Sequence, residues 1–193
     1  QTDLPPRVYD LGMGLRRRGE LGEQWAYELA ARPGLYSDFQ GSLRDAWRCP
    51  AHGAVYYQAA EFLQLVLGID YPHRDDVALV PVAGAVYRPM PELRLDLVFP
   101  QPRVAFRLTK KRTAYVAADF TGDMWAIERM GGTADVASYR DYRVVVGLES
   151  SQHTGAVLFS EIGCVFERRL EYRSGSGDYP PLDTLLWRSV VAY

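Results

Sequence analysis

LRLDLVFPQPRVAFRL, residues 93–108, is the stretch on which the fold turns. Leu93, Leu95, Leu97 and Phe99 alternate with Arg94 and Asp96, and after two prolines Val104, Phe106 and Leu108 resume the alternation around Arg107. A period of two is the spacing of a β-strand, whose successive side chains point to opposite faces. Each strand therefore has one apolar and one charged face. Pro100 and Pro102 fall in the connection, where no ladder N–H is lost. A four-residue link over 100–103 pairs Phe99 with Val104, Leu97 with Phe106 and Leu95 with Leu108, and it sets Asp96 opposite Arg107. A three-residue link over 110–112 carries the pattern on and sets Arg103 opposite Asp119.

The same alternation runs through the rest of the chain, and helix periodicity is almost absent. Strands are predicted over 7–16, 24–36, 46–58, 62–71, 77–88, 92–99, 103–109, 113–129, 139–149, 155–172 and 184–193, about eleven in all. Consecutive strands without crossover helices are antiparallel neighbours. Connections near 58–61, 88–92, 109–113 and 151–155 are short, whereas those near 37–45, 70–76, 129–138 and 173–183 are longer and more polar. The link 100–103 is a short exception on the long-loop side. One end of the meander thus carries turns and the other carries loops, an asymmetry of bacterial outer-membrane barrels. Pro50 and Pro81 interrupt two of the strands and mark bulges. No linker or repeat divides the chain, so residues 1–193 read as one domain.

Alternation does not say which face points outward. A soluble, lipocalin-like barrel encloses its apolar face and holds an apolar ligand there. A transmembrane barrel turns that face to lipid and keeps polar groups inside. Of the 22 basic residues only Lys110 and Lys111 are lysine, and the other 20 are arginine, whereas a soluble outer face carries many lysines. A genome rich in G and C produces the same bias. Arginine suits carboxylates in confined places because its planar fork pairs with them bidentately. Trp25, Tyr36, Trp47, Tyr57, Tyr71, Tyr87 and Trp125 stand near strand ends, as interfacial girdles do. The inside-out reading makes Leu63, Leu65, Leu67, Leu95, Leu97, Phe99, Phe106, Val144, Val146, Trp187 and Tyr193 lipid-facing. It places Arg94, Asp96, Arg103, Arg107, Asp119, Arg143, Glu149, Glu161, Glu167 and Arg188 in the lumen. Inward charges either select solutes or plug a narrow barrel with ion pairs. The closing TLLWRSVVAY ends an amphipathic strand on an aromatic residue, which resembles the signal read by the barrel-assembly machinery of bacterial outer membranes.

TDLPPRVYD, PGLYSDF, LQLVLGIDYPHRDDVALVPVAG, ELRLDLVFPQPRVAFRL and WAIER together resemble a bacterial family of uncharacterised outer-membrane β-barrel proteins. That resemblance implies no reaction, ligand or catalytic residue. It implies further strands ahead of TDLPPRVYD. An odd count of about eleven strands also sits badly with single-chain bacterial barrels, which close on an even number. Either the count is off by one or these residues are the C-terminal part of a larger barrel, whose edges need partners among its own strands or other subunits.

Other functions find less support. A net charge of −2 disfavours a general nucleic-acid binder. No run of 18 apolar residues forms a transmembrane helix. Cys49 and Cys164 lack metal-ligand spacing and read as buried apolar side chains, with a disulfide left open. His73 beside Asp75 and Asp76 has the composition of a metal or acid–base cluster, and His52 with Ser42 that of a membrane hydrolase, but no nucleophile motif is present. His153 reads as a turn residue, and the glycines of GMG at 12–14 lack the helix a phosphate loop needs. RRR at 16–18 and KKR at 110–112 are placed at the short-turn end. The expectation is a cofactor-free, all-β antiparallel up-and-down barrel of the bacterial outer membrane, about 10–12 strands, structural or a narrow passive pore.

Overall fold

The computed structural model describes residues 4–41, 43–151 and 156–192, and the period-two segments in it are strands of one sheet. They are β1 (Tyr9–Gly12), β2 (Leu15–Glu20), β3 (Trp25–Ala31), β4 (Gly34–Ser37), β5 (Trp47–Arg48), β6 (Ala51–Ala60), β7 (Leu63–Tyr71), β8 (Val80–Met90), β9 (Leu93–Phe99), β10 (Arg103–Thr109), β11 (Arg112–Arg129), β12 (Thr133–Ser151), β13 (Val157–Tyr172) and β14 (Thr184–Ala192). A single 3₁₀ turn, Leu43–Asp45, joins β4 to β5. The main path runs β2-β3-β6-β7-β8-β9-β10-β11-β12-β13-β14, each neighbour antiparallel to the next. The sheet is not closed: among the described residues β2 pairs only with β3, and β14 only with β13.

The predicted strands break where the backbone chemistry demands it. Segment 24–36 divides at Pro33 and segment 46–58 at Pro50, which have no N–H to give a ladder; their carbonyls instead accept from Met13 and Arg32, whereas Pro81 stays within β8 opposite Ile69 without the expected bulge. Segment 7–16 divides at Met13–Gly14 into β1 and β2, so Arg16, Arg17 and Arg18 lie along a strand rather than in a turn. The long loop predicted at 129–138 is a tight hairpin, with Gly131 and Gly132 at positive φ supplying the turn between long strands. β11 and β12, with β13 beside them, therefore rise well beyond β10 and β14.

Two registers differ from expectation. Asp96 pairs with Arg103, and Leu93 with Phe106, so the β9–β10 hairpin is offset by four residues and Asp96 does not face Arg107. Pro100 and Pro102 have no N–H to give, which widens the connection. An offset of four is even, so every residue keeps its face. Arg103 stands opposite Ala117 rather than Asp119, and Asp119 pairs with Arg143.

β4 fixes the curvature. It leaves β3, lies beside β11 where β10 has ended, and pairs there in parallel through Ser37 and Ala126. In a flat sheet that position lies about five strand spacings, or about 24 Å, from β3. The six residues from Ala31 to Ser37 reach at most about 21 Å. The sheet must curl, and bonds between distant loops agree. Asp75, in the β7–β8 loop, accepts from Arg173 after β13, and Trp125 on β11 donates to Asp10 on β1.

Burial follows the curl. On the charged face Ala54, Val66, Val82, Val86, Ala105, Tyr115, Val145 and Val165 are buried. On the opposite face Leu67 is 66% exposed, Ile162 62% and Trp187 78%. The loop end packs differently. There Tyr36, Ala46, Met124, Ala126, Ile127, Val136, Ala137, Leu170 and Tyr172 are buried beneath β1, β4 and the segments after β7 and β13.

Candidate functional site: the charged concave face

The curl wraps the charged face around a cavity of about 500 Å³. Arg16, Ala30, His52 and Asp70 line one side, and Arg74, Gln101, Phe120 and Gly122 the other. Two clusters of charge lie on this face.

The first cluster spans β2, β3, β6 and β7. Register places His52 opposite both Asp70 and Ala30. His52 Nδ1 hydrogen-bonds Asp70 Oδ1, and its Nε2 lies 3.8 Å from Glu28 Oε1. Glu28 is buried and its Oε2 accepts from Arg16 Nη2 at 2.8 Å. Histidine at 52 was visible in the sequence; its carboxylate partners were not, because their approach depends on strand order and register.

The second cluster spans β9 to β14. Arg94 Nε donates to Asp96 Oδ1 at 2.8 Å along one strand. Arg103 reaches across β11, its Nη2 donating to Glu149 Oε2 at 2.5 Å while its guanidinium lies 4.0 Å from the Tyr115 ring centre. Tyr115 donates to Glu161 Oε1 at 2.6 Å, and Arg188 Nε to Glu161 Oε2 at 2.6 Å. Gly147 leaves space for the Tyr115 ring; a Cβ there would lie 2.2 Å from its Cζ. Arg143 grips Asp141 with bonds of 2.7 and 2.9 Å, and Thr121 Oγ1 donates to the same carboxylate. Gln101 donates to Asp119 at 3.0 Å.

Eight of the ten sequence-derived lumen residues thus lie in these pairs or beside them. Arg107 is exposed near the turn end, its backbone N–H donating to the Glu92 carbonyl. Glu167 departs from the face altogether. Its φ of 50° marks a bulge between the Phe166–Tyr142 and Arg169–Arg140 pairs, and its exposed side chain borders the 178–183 segment. Nothing in an alternating pattern signals such a bulge. The alternation of 139–149 puts Asp141 on the face of Arg143 and Glu149, and there it is the most enclosed carboxylate, at 1% exposure.

The apolar residues share the other face. Leu65, Leu67, Leu97, Phe99, Phe106, Val144, Val146 and Trp187 are exposed, Leu63 and Leu95 are half-buried, and Tyr193 lies outside the described residues. Trp25 packs against Tyr57 with tilted rings and Phe62 meets Tyr87 edge to face at the turn end. Tyr36, by contrast, is buried at the loop end and belongs to no girdle. Trp125 is drawn there by its bond to Asp10. Cys164 is exposed and Cys49 half-buried, and both are free thiols rather than buried apolar groups.

Several loop-end charges are paired, whereas buried Arg48 keeps Nε and one terminal nitrogen without a hydrogen-bond partner among the described residues. Arg74 donates twice to Asp76, which also faces Arg140 at 3.5 Å. The close approach of Arg74 requires Gly122, where a Cβ would lie 1.6 Å from its Nη1. Arg173 bridges Asp45 and Asp75. Burial pulls the Arg173 pKa down, but its bonds to Asp45 and Asp75 outweigh that and hold it above the usual value. Burial likewise pushes Asp135 up, yet bonds from Ser174, the Val136 and Ser174 N–H groups and Arg129 leave it below the usual carboxylate range.

The catalytic candidates come apart. His73 accepts from the Cys49 N–H at 2.8 Å and stacks on Tyr71, a structural arrangement. Among the described residues no group of His, Cys, Asp and Glu has the geometry to hold a metal ion. His52 meets carboxylates, and no serine bonds to it among the described residues; Ser42 and His153 lie outside them. Comparison of the chain with protein-family profiles, with curated proteins and with solved structures finds no match in any of the three.

Proposed function

We propose that this chain forms the wall of a β-barrel in a bacterial outer membrane, structural or narrowly porous, with its lumen filled by arginine–carboxylate pairs. One observation carries the reading: an apolar face exposed across the whole meander, backed by a charged face whose groups are paired with one another. In water a continuous exposed apolar face of that extent promotes association. In lipid it is the required exterior. A lipocalin-like barrel reverses the two faces and has no use for this arrangement. The sequence resemblance to outer-membrane barrel proteins points the same way.

The lumen pairs favour a plug over a wide channel. Arg103, Tyr115, Glu149, Glu161 and Arg188 bond one another across neighbouring and alternate strands, and the space left on this face consists of cavities of about 350–500 Å³, each the size of a small-molecule site. The test is twofold. The chain should need detergent to stay dispersed and should insert into vesicles, and in planar bilayers it should conduct little. Monodisperse behaviour without detergent defeats the membrane reading; a large steady conductance defeats the plug.

A further inference from the structure

The two open edges point to a missing partner whose direction and chemistry the sheet itself specifies. β2 and β14 are the ends of an eleven-strand antiparallel path, so they run in the same direction. Joined directly they would make a parallel pair in an otherwise antiparallel wall. An odd number of intervening strands, those next to the edges running opposite to both, closes the wall with an even total, and the smallest such number is one.

A second copy cannot supply it. Copies sharing one membrane orientation all present β2 and β14 in the same direction, so copy-to-copy pairing is also parallel. The occupant is therefore a separate strand, lying outside the described residues and antiparallel to both edges. Its length follows β2 and β14, six and nine residues.

Charge sets its inward face. Arg16, Arg18 and Glu20 on β2 and Arg188 on β14 share the charged face at the two edges, an excess of cations. Arg16 and Arg188 keep 69% and 48% of their side-chain surface exposed although each already bonds a carboxylate. A strand between them meets arginines on both sides, and an acceptor-rich inward face completes them. Its outward face must continue the apolar surface next to Leu15, Leu185, Trp187 and Val191, which exposed Arg17 interrupts on β2; the three β14 residues are more than half exposed.

We infer that β2 and β14 together form a receptor for one amphipathic strand, acidic inward and apolar outward, which converts the eleven-strand sheet into a closed twelve-strand barrel. This inference rests on the barrel reading above. The probe is a synthetic nine-residue peptide alternating leucine or tyrosine with glutamate or serine, added to the chain folded in detergent micelles. Hydrogen exchange is followed at the amides of β2 and β14 that point away from their single partners. The expected result is exchange slowed at least tenfold at both edges together, with a much weaker effect from a peptide carrying arginine in place of glutamate. Protection of one edge only, equal action by the arginine peptide, or edges already protected without any peptide would overturn the inference. Failure of the barrel reading looks different: the chain then stays dispersed without detergent, whatever the peptide does.

Discussion

The wall and the loop end of this molecule follow opposite rules. In the wall, leucine, valine and tryptophan side chains stand exposed while Asp141 is 1% exposed behind Arg143 and Thr121. At the loop end, Met124, Ile127, Val136 and Tyr172 are buried, and Arg173 meets Asp45 at the surface. The loop end packs as proteins do in water, whereas the wall packs as though its outer solvent were hydrocarbon. One chain, one sheet and two solvents would produce this contrast. Long strands make it possible, since β11 and β12 run from one regime into the other without a break.

The largest expected effect tests the inner side of the wall. Asp141→Ala leaves the Arg143 guanidinium enclosed without its carboxylate and should cost about 3–5 kcal/mol in urea unfolding from micelles. Asp45→Ala, which removes an exposed partner of Arg173, should cost about 0–1 kcal/mol. Equal losses would erase the contrast. The outer side comes next. Val146→Arg, mid-wall between Val116 and Ile162, should cost about 2–4 kcal/mol in bilayers. Leu182→Arg, in the 81% exposed loop position, should stay within about 0.5 kcal/mol. If the two variants behave alike, the wall does not face lipid.

A smaller effect checks register. Because Arg94, not Arg107, bonds Asp96, the Asp96→Ala and Arg107→Ala losses should add, while Asp96→Ala with Arg94→Ala should fall short of additivity by about 0.5 kcal/mol. Coupling to Arg107 instead would restore the simple four-residue hairpin. The smallest effect belongs to pH. Asp135 has its folded pKa below its unfolded value, so its contribution is present above about pH 4 and is lost as pH falls through the folded pKa. Wild type should therefore lose more stability between pH 5 and pH 2 than Asp135→Asn does, and a steeper loss in the variant would contradict the bonding described.

The meander was readable in the sequence because period two survives every error of register by an even number. The β9–β10 offset of four moved Asp96 from one arginine to another without moving it from its face. What alternation could not show were events that break the period or leave the path. The bulge at Glu167 turned a predicted inward carboxylate outward. The breaks at Pro33 and Pro50 released β4 and β5 from the meander, and no local pattern announces that β4 docks beside β11. Of the site, His52 and most arginines were identifiable as residues; the pairing of His52 with Asp70 and Glu28 required knowing that β3, β6 and β7 are neighbours.

The Ser37–Ala126 pairing also has a temporal consequence. Hairpins such as β6–β7 can zip from contacts a few residues apart, but this clasp joins segments separated by nearly half of the chain, and closing so long a loop is slow. The N-terminal strands must therefore wait, incompletely anchored, until β11 is in place. Assembly of this protein should end at its mouth, with the clasp snapping shut over a wall already zipped.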